Sequence, residues 1–200
     1  MGILAINRPA VFLDRDGVIN ALVLNPATGR MESPLNPDAV QVLDGVIPSL
    51  LRLQEAGYSL LLVSNQPNYA LGKSTIDVLG AIHNRIADEF REAGIRFTRF
   101  SYCLHHPKGV VAGYSGLCVC RKPSPWFLLR ARDDFGYSLP DSWMIGDQPT
   151  DTQCGKAAGV HTIRVDSGAV PARPNGAPAA DYLVWNLPEA VEIILSRYKN

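Results

Sequence analysis

Short apolar runs that stop at polar or acidic residues recur along this chain, separated by stretches of helical periodicity. Ala10-Val11-Phe12-Leu13 ends at Asp14, residues 58–63 end at Ser64-Asn65-Gln66, and Trp143-Met144-Ile145 ends at Gly146-Asp147. Uninterrupted apolar runs of this length read as strands buried on both faces. Residues 97–103 alternate as a less buried strand, 161–165 read as another, and 182–185 as an edge strand. Between them the pattern predicts helices over 45–53, with Asp44 as N-cap and Gly57 past the end, and from Ser74 or Thr75 to about residue 93, stopped by Gly94. Further helices follow: Ser124-Pro125 to about 135 before Gly136, 150–158 before Gly159, and 188 to about 198. Residues 20–44, with Pro26, Gly29, Pro34 and Pro37, read as one long irregular stretch.

Strands alternating with helices predict an α/β fold, a doubly wound and mostly parallel sheet. No internal repeat breaks the chain, so residues 1–200 read as a single domain. A glycine-bearing loop at 103–120 is inserted into it, and 166–180, rich in Pro, Ala and Gly, is a surface connection.

Two hundred residues suffice for one ample core, and 46% hydrophobic against 19% charged residues is a globular balance. Basic and acidic residues number 19 each, so no broad basic face for nucleic acid is expected and any positive charge for an anionic substrate must be local. No apolar run approaches the roughly 18 residues of a membrane span. Residues 1–4 lack the basic start and apolar stretch of a signal peptide, and a soluble cytoplasmic monomer is expected.

Asp14-x-Asp16 at a strand end offers a nucleophile, a second acid and a divalent-cation ligand within one turn. A calcium loop would want another oxygen ligand at its fifth position, which here is Val18. In a parallel sheet the strand ends lie on one edge, so Asp14 and Asp16, Ser64 and Asn65, and Asp147 can converge there. Arg121-Lys122 stands just before a helix N-terminus, where cations and backbone donors together suit a phosphate. Cys103-x-His105 and Cys118-x-Cys120, with twelve residues between the pairs, give four ligands that fit a closed tetrahedral zinc site. His106 is an alternative imidazole. Cys154 reads as a buried packing thiol, and His83 and His161, which carry no partner pattern, as structural residues.

The order Asp14-Arg15-Asp16-Gly17-Val18, Ser64-Asn65, Lys122, and Gly146-Asp147 followed by Asp151 resembles the haloacid dehalogenase (HAD) superfamily of phosphohydrolases. Residues 12–20, Ser64-Asn65-Gln66, Cys103-Leu-His-His-Pro107 and Cys118-Val-Cys-Arg-Lys-Pro123 are similar to its branch of heptose bisphosphate and histidinol-phosphate phosphatases. The resemblance spans roughly residues 10 to 165. It implies a HAD-like fold without a large cap and an aspartyl-phosphate mechanism. Asp14 would be the nucleophile and Asp16 the acid and base; Ser64 and Lys122 would hold the phosphoryl oxygens, with Asn65, Gln66 and Arg121 binding substrate. Mg²⁺ would be held by Asp14, Asp147 and the backbone carbonyl of Asp16. It also favours His105 over His106 for a structural Zn²⁺. Asp151 reads either as a positioner of the metal shell or Lys122, or as an exposed acid at a helix start. The expected partner is a small sugar phosphate, most readily a heptose 1,7-bisphosphate, with a histidinol or other polyol phosphate as the alternative.

Departures from the branch fall on substrate-facing positions. Leu-Val-Leu-Asn stands at 22–25 in place of Asp-x-Gly-Tyr, Leu71 in place of arginine, and Gln148 in place of lysine. A non-catalytic binding or scaffold protein would be expected to lose Asp14 or Asp16, and both are present. A phosphotransferase would share the aspartyl-phosphate, since the acceptor is not written in the motif.

Overall fold

The computed structural model describes residues 8–26, 28–166 and 178–198. Its main sheet has six strands: β1 (Ala10–Leu13), β4 (Ser59–Asn65), β5 (Phe97–Cys103), β6 (Trp143–Gly146), β7 (His161–Val165) and β8 (Tyr182–Val184). They lie in the order β5–β4–β1–β6–β7–β8, and every neighbouring pair is parallel. Five helices cover it: α1 (Val46–Glu55), α2 (Ile76–Glu92), α3 (Trp126–Phe135), α4 (Pro149–Ala158) and α5 (Leu187–Tyr198).

Period-two alternation divides each strand between two cores. Val11, Leu13, Leu60, Leu62 and Ile145 join Leu50 and Leu53 of α1, Ile82 and Ile86 of α2, and Val191 and Ile194 of α5. Ala10, Phe12, Leu61, Val63 and Met144 meet Leu128 and Ala131 of α3, and Cys154 and Ala158 of α4, on the other face. Cys154 is the buried thiol that the pattern predicts. Each fully buried Leu or Phe contributes about 1.5–3 kcal/mol, and burial on both faces is why the strands read as unbroken apolar runs.

From β1 the chain crosses to β4 and β5 on one side, then returns through α3 to β6 on the other. This reversal makes the carboxyl end of β1 the switch point where open α/β sheets bind ligands.

Four details differ from the sequence pattern. Residues 20–44 are not one irregular stretch: β2 (Val23–Asn25) and β3 (Arg30–Glu32) pair as an antiparallel hairpin, and Pro37–Ala39 form a short 3-10 turn. Strands of three residues are too short for alternation to be seen. Gly45, at φ 77°, is the N-cap of α1 in place of Asp44, and Pro125 is the N-cap of α3 rather than a first-turn residue. Asp151 is buried, which removes the reading of an exposed acid. Of the 166–180 connection, residues 167–177 lie outside the described residues, as do residues 1–7.

Candidate active site

Three strand ends and one loop meet over β1. Asp14 follows β1 directly, and its N–H donates to Ile145 O at 2.9 Å, fixing it beside β6. Ser64 lies in β4, and Asp147 follows β6. Lys122 comes from outside the sheet and is drawn in by Asn65, whose Oδ1 accepts from Lys122 N (3.0 Å) while its Nδ2 donates to Lys122 O (3.1 Å). The Lys122 ammonium then stands 2.9 Å from Asp14 Oδ1 and 2.6 Å from Asp151 Oδ1, and donates to Val63 O at 2.7 Å. Asp151 is the third residue of α4, and its Oδ2 accepts from Gln148 N at 2.9 Å in a capping box. Asp14, Asp16, Ser64, Asn65, Arg121, Lys122 and Asp147 all border one cavity of about 800 Å³.

Charge in this cluster does not balance. Asp14, Asp147 and Asp151 bring carboxylate oxygens within 4.8 Å of one another, and Lys122 is the one cation that touches them among the described residues. Burial, then the charges of Asp14 and Asp151, push the Asp147 carboxyl up to about 8. Burial likewise raises Asp151 to about 6 against the pull of Lys122. For Lys122 burial works the other way, but Asp14 and Asp151 outweigh it and raise its pKa. Asp147 Oδ1 is buried without a hydrogen-bond partner. Buried oxygen donors carrying surplus negative charge fit a hard divalent cation. Two glycines permit this crowding. A Cβ at Gly146 would lie 2.2 Å from the Asp151 carboxyl carbon, and one at Gly17, already at φ 82°, would lie 2.6 Å from Asp147 Oδ2.

Asp16 sits in the opposite surroundings. Its Oδ1 accepts from Arg15 Nε (3.1 Å), Arg15 Nη2 (3.0 Å) and Asn20 Nδ2 (2.9 Å). Its Oδ2 accepts from Gln66 Nε2 (2.6 Å), Ser33 Oγ (2.8 Å) and Arg15 Nη2 (3.0 Å). Burial opposes ionisation here, yet the Arg15 charge and these hydrogen bonds outweigh it and hold the carboxyl below its ordinary value. The side chain of Asp16 is therefore not part of the acid cluster, and the third carboxylate there is Asp151. Gln66, expected at the substrate, is buried behind the acid with its amide bonded to Asp16, Arg15 and Ser64. Asn65 likewise spends its amide on the Lys122 backbone.

The cysteine–histidine loop closes on itself. Sulfur separations are 3.6 Å for Cys103–Cys118 and for Cys118–Cys120, and His105 Nδ1 lies 4.0 Å from Cys103 Sγ and 3.7 Å from Cys120 Sγ. Four ligands about 2.1–2.3 Å from one tetrahedral centre would stand roughly 3.5–3.8 Å apart, so the donor set fits zinc. His106 is outside the cluster, its Nδ1 accepting from Lys108 N at 3.1 Å. Arg121 donates from Nη1 to His105 O at 3.1 Å, tying the loop to the cavity rim. Asn20, Ser33 and the backing role of Arg15 were not predicted. Asn20, four residues after Asp16, was the one available signal.

The HAD-hydrolase-like family model matches residues 119–190. A D-glycero-β-D-manno-heptose-1,7-bisphosphate 7-phosphatase from Yersinia pestis is 34% identical over 191 residues, covering 96% of this chain and 97% of its own length. The protein of the same name from Escherichia coli (strain K12) is 32% identical, covering 96% of each. Among solved structures, a D,D-heptose 1,7-bisphosphate phosphatase from B. bronchiseptica complexed with magnesium and phosphate shares the fold. Its TM-score is 0.76 at 24% identity, over 94% of this chain and 99% of that one. The family model and these relatives make the chain a HAD-like phosphoric monoester hydrolase. Within that class the chain belongs to the family of the D-glycero-β-D-manno-heptose-1,7-bisphosphate 7-phosphatases.

Proposed function

We propose that this enzyme removes the 7-phosphate of a D-glycero-D-manno-heptose 1,7-bisphosphate through an aspartyl-phosphate, with Mg²⁺ at the acid cluster and Zn²⁺ in the 103–120 loop. The observation that carries it is the Asp14–Lys122 pair at 2.9 Å within a cluster of three carboxylates that Lys122 alone does not neutralise. Asp14, Asp147 and the backbone carbonyl of Asp16 would hold Mg²⁺, with Asp151 beside them. Bound there, the ion supplies the positive charge that offsets repulsion between a carboxylate and a phosphate.

Asp14 attacks phosphorus, the bond to the sugar oxygen breaks, and Asp16 gives its proton to the leaving alkoxide. Water then attacks the phosphorus of the aspartyl-phosphate, Asp16 takes the water's proton, and Asp14 is released. The donors around Asp16 favour the ionised form needed in the second half. An incoming phosphate dianion opposes that charge and favours the protonated form needed in the first. Lys122 and Ser64 hold the phosphoryl oxygens, positioned before substrate arrives. Cys103, His105, Cys118 and Cys120 would hold Zn²⁺, which would fix the loop that delivers Arg121 and Lys122.

The cavity mouth is rimmed by the hairpin residues Met31 and Glu32, by Leu71, and by Pro107 and Leu117 of the loop. A terminal phosphate on a slim primary carbon reaches Asp14 through such a mouth, leaving the ring and the 1-phosphate outside near Arg121. No helix among the described residues is long and apolar enough to cross a membrane. The reading places a monomer in the cytoplasm, acting on a free sugar phosphate and not on nucleic acid.

Phosphate release with Mg²⁺ across a panel of sugar and polyol phosphates, followed by phosphorus NMR of the product, tests this. A heptose 1-phosphate is expected. A heptose 7-phosphate would refute the pose, and no turnover of either anomer would refute the substrate. Elemental analysis of the same preparation should find about one zinc per chain.

A further inference from the structure

Three cations line the cavity over β1 among the described residues: Lys122, Arg121 and Lys73. Lys122 is committed to the acid cluster, and Leu71 and Gln148 on the same wall are neutral. Lys73 closes the loop that follows β4. Its N–H donates to Asn68 O at 2.8 Å, and Ala70 O of the same loop accepts from Val110 N (2.7 Å) and Val111 N (3.2 Å) of the 103–120 loop. Its ammonium reaches across to the β2–β3 hairpin, 3.1 and 3.3 Å from the two carboxylate oxygens of Glu32.

The hairpin places that ammonium beside the sugar. Glu32 precedes Ser33, whose hydroxyl donates at 2.8 Å to Asp16, the acid that serves the leaving oxygen. Side-chain exposure rises from 9% at Asp16 through 18% at Glu32 to 37% at Lys73, so the pair lies outward of the acid. Lys122, by contrast, stands with Asp14 and Asp151 on the phosphoryl side. A sugar extending from the leaving oxygen toward the mouth passes the hairpin and meets Lys73 there.

Glu32 can give the ammonium up. A tight charge-assisted bond measures about 2.7–2.9 Å, and both contacts are longer. Partly exposed pairs of this kind contribute little to stability. Without Lys73, Glu32 keeps Asn25 Nδ2 (3.0 Å) and Thr28 Oγ1 (2.8 Å) as donors. An ammonium has three N–H donors and no acceptor, and a phosphate monoester, close to doubly charged at neutral pH, is the stronger partner for them.

We propose that Lys73 is a specificity-determining residue whose ammonium binds the 1-phosphate of the sugar, alongside Arg121. The inference rests on the reading of a heptose 1,7-bisphosphate that enters by its 7-phosphate.

The readout is a comparison of two substrates that differ only in the outer phosphate: the heptose 1,7-bisphosphate and the heptose 7-phosphate, each followed by phosphate release with Mg²⁺. Lys73→Met keeps the length of the side chain and removes its charge. On the bisphosphate it should lose roughly tenfold in kcat/KM, what one hydrogen bond to a charged group supplies. The loss should fall on KM with kcat nearly unchanged, because the 1-phosphate is remote from the reacting bond and is held equally before and during the reaction. On the 7-phosphate the change should be less than about twofold, the size of an ordinary surface substitution.

Equal losses on both substrates, or no loss on the bisphosphate, would overturn the proposal. Should Lys73→Met fail to fold, Lys73→Gln, with a neutral polar head, decides by the same criterion. The wild-type enzyme separates the two readings. If it releases no phosphate from the bisphosphate, or leaves heptose 7-phosphate as the product, the substrate reading falls and takes this inference with it. If it yields heptose 1-phosphate and the variant does not discriminate, this inference alone falls.

Discussion

Asp14 and Asp16 are one residue apart, yet their surroundings are opposites. Asp14 shares one lysine with Asp151 and faces Asp147 in a cluster where acid outnumbers base. Asp16 has both oxygens filled by donors from Arg15, Asn20, Ser33 and Gln66. The first arrangement fits a cation, which would in turn draw in a phosphate. The second holds one carboxyl in one place and favours its ionised form. The same side chain is made into two different reagents by what stands next to it, a division that is general for paired catalytic carboxylates.

The comparison breaks most sharply at Asp14. Asp14→Asn keeps the shape but removes the attacking charge, and turnover should fall by roughly 10³-fold or more, read as phosphate release at saturating substrate. Near-normal turnover would end the aspartyl-phosphate mechanism.

Asp151→Asn tests whether surplus charge is what recruits the metal. It should weaken apparent Mg²⁺ affinity by about 10–100-fold in a titration of activity against Mg²⁺. Lys122 keeps Asp14 as a partner in this variant, so activity at high Mg²⁺ should largely return. Unchanged affinity would mean that Asp151 serves Lys122 alone.

The smallest effect is expected on the cage. Ser33→Ala removes one of several donors to Asp16, worth about 1 kcal/mol, and should lower kcat/KM on an alkyl phosphate by no more than about tenfold. A loss as large as that of Asp14→Asn would show that the hairpin, and not Arg15, governs the acid.

How much of this was legible follows the same division. The strand-end acids were visible because each terminates an apolar run, and the cysteine–histidine set because its ligands come in two close pairs. Ser33 is not visible in the sequence: it reaches Asp16 from just after β3, and no local pattern fixes what that segment stands beside. Asp151 was seen but left between two readings, because the start of a helix looks the same in sequence whether it faces solvent or Lys122. Gln66 was read as a substrate ligand from its place after Ser64-Asn65. Its amide is instead taken up by Asp16, Arg15 and Ser64, contacts that no local pattern announces.

Gly17 and Gly146 carry a consequence for how this protein can change. At both positions any side chain would overlap a carboxylate of the acid cluster, so neither can be traded for a residue that stiffens the backbone. The cluster itself opposes folding, since it buries three acids against one base. A chain selected for durability alone would fill the glycines and replace an aspartate with its amide. A cation bound among the three acids would offset that cost, so the protein's resistance to heat should rise when Mg²⁺ is added.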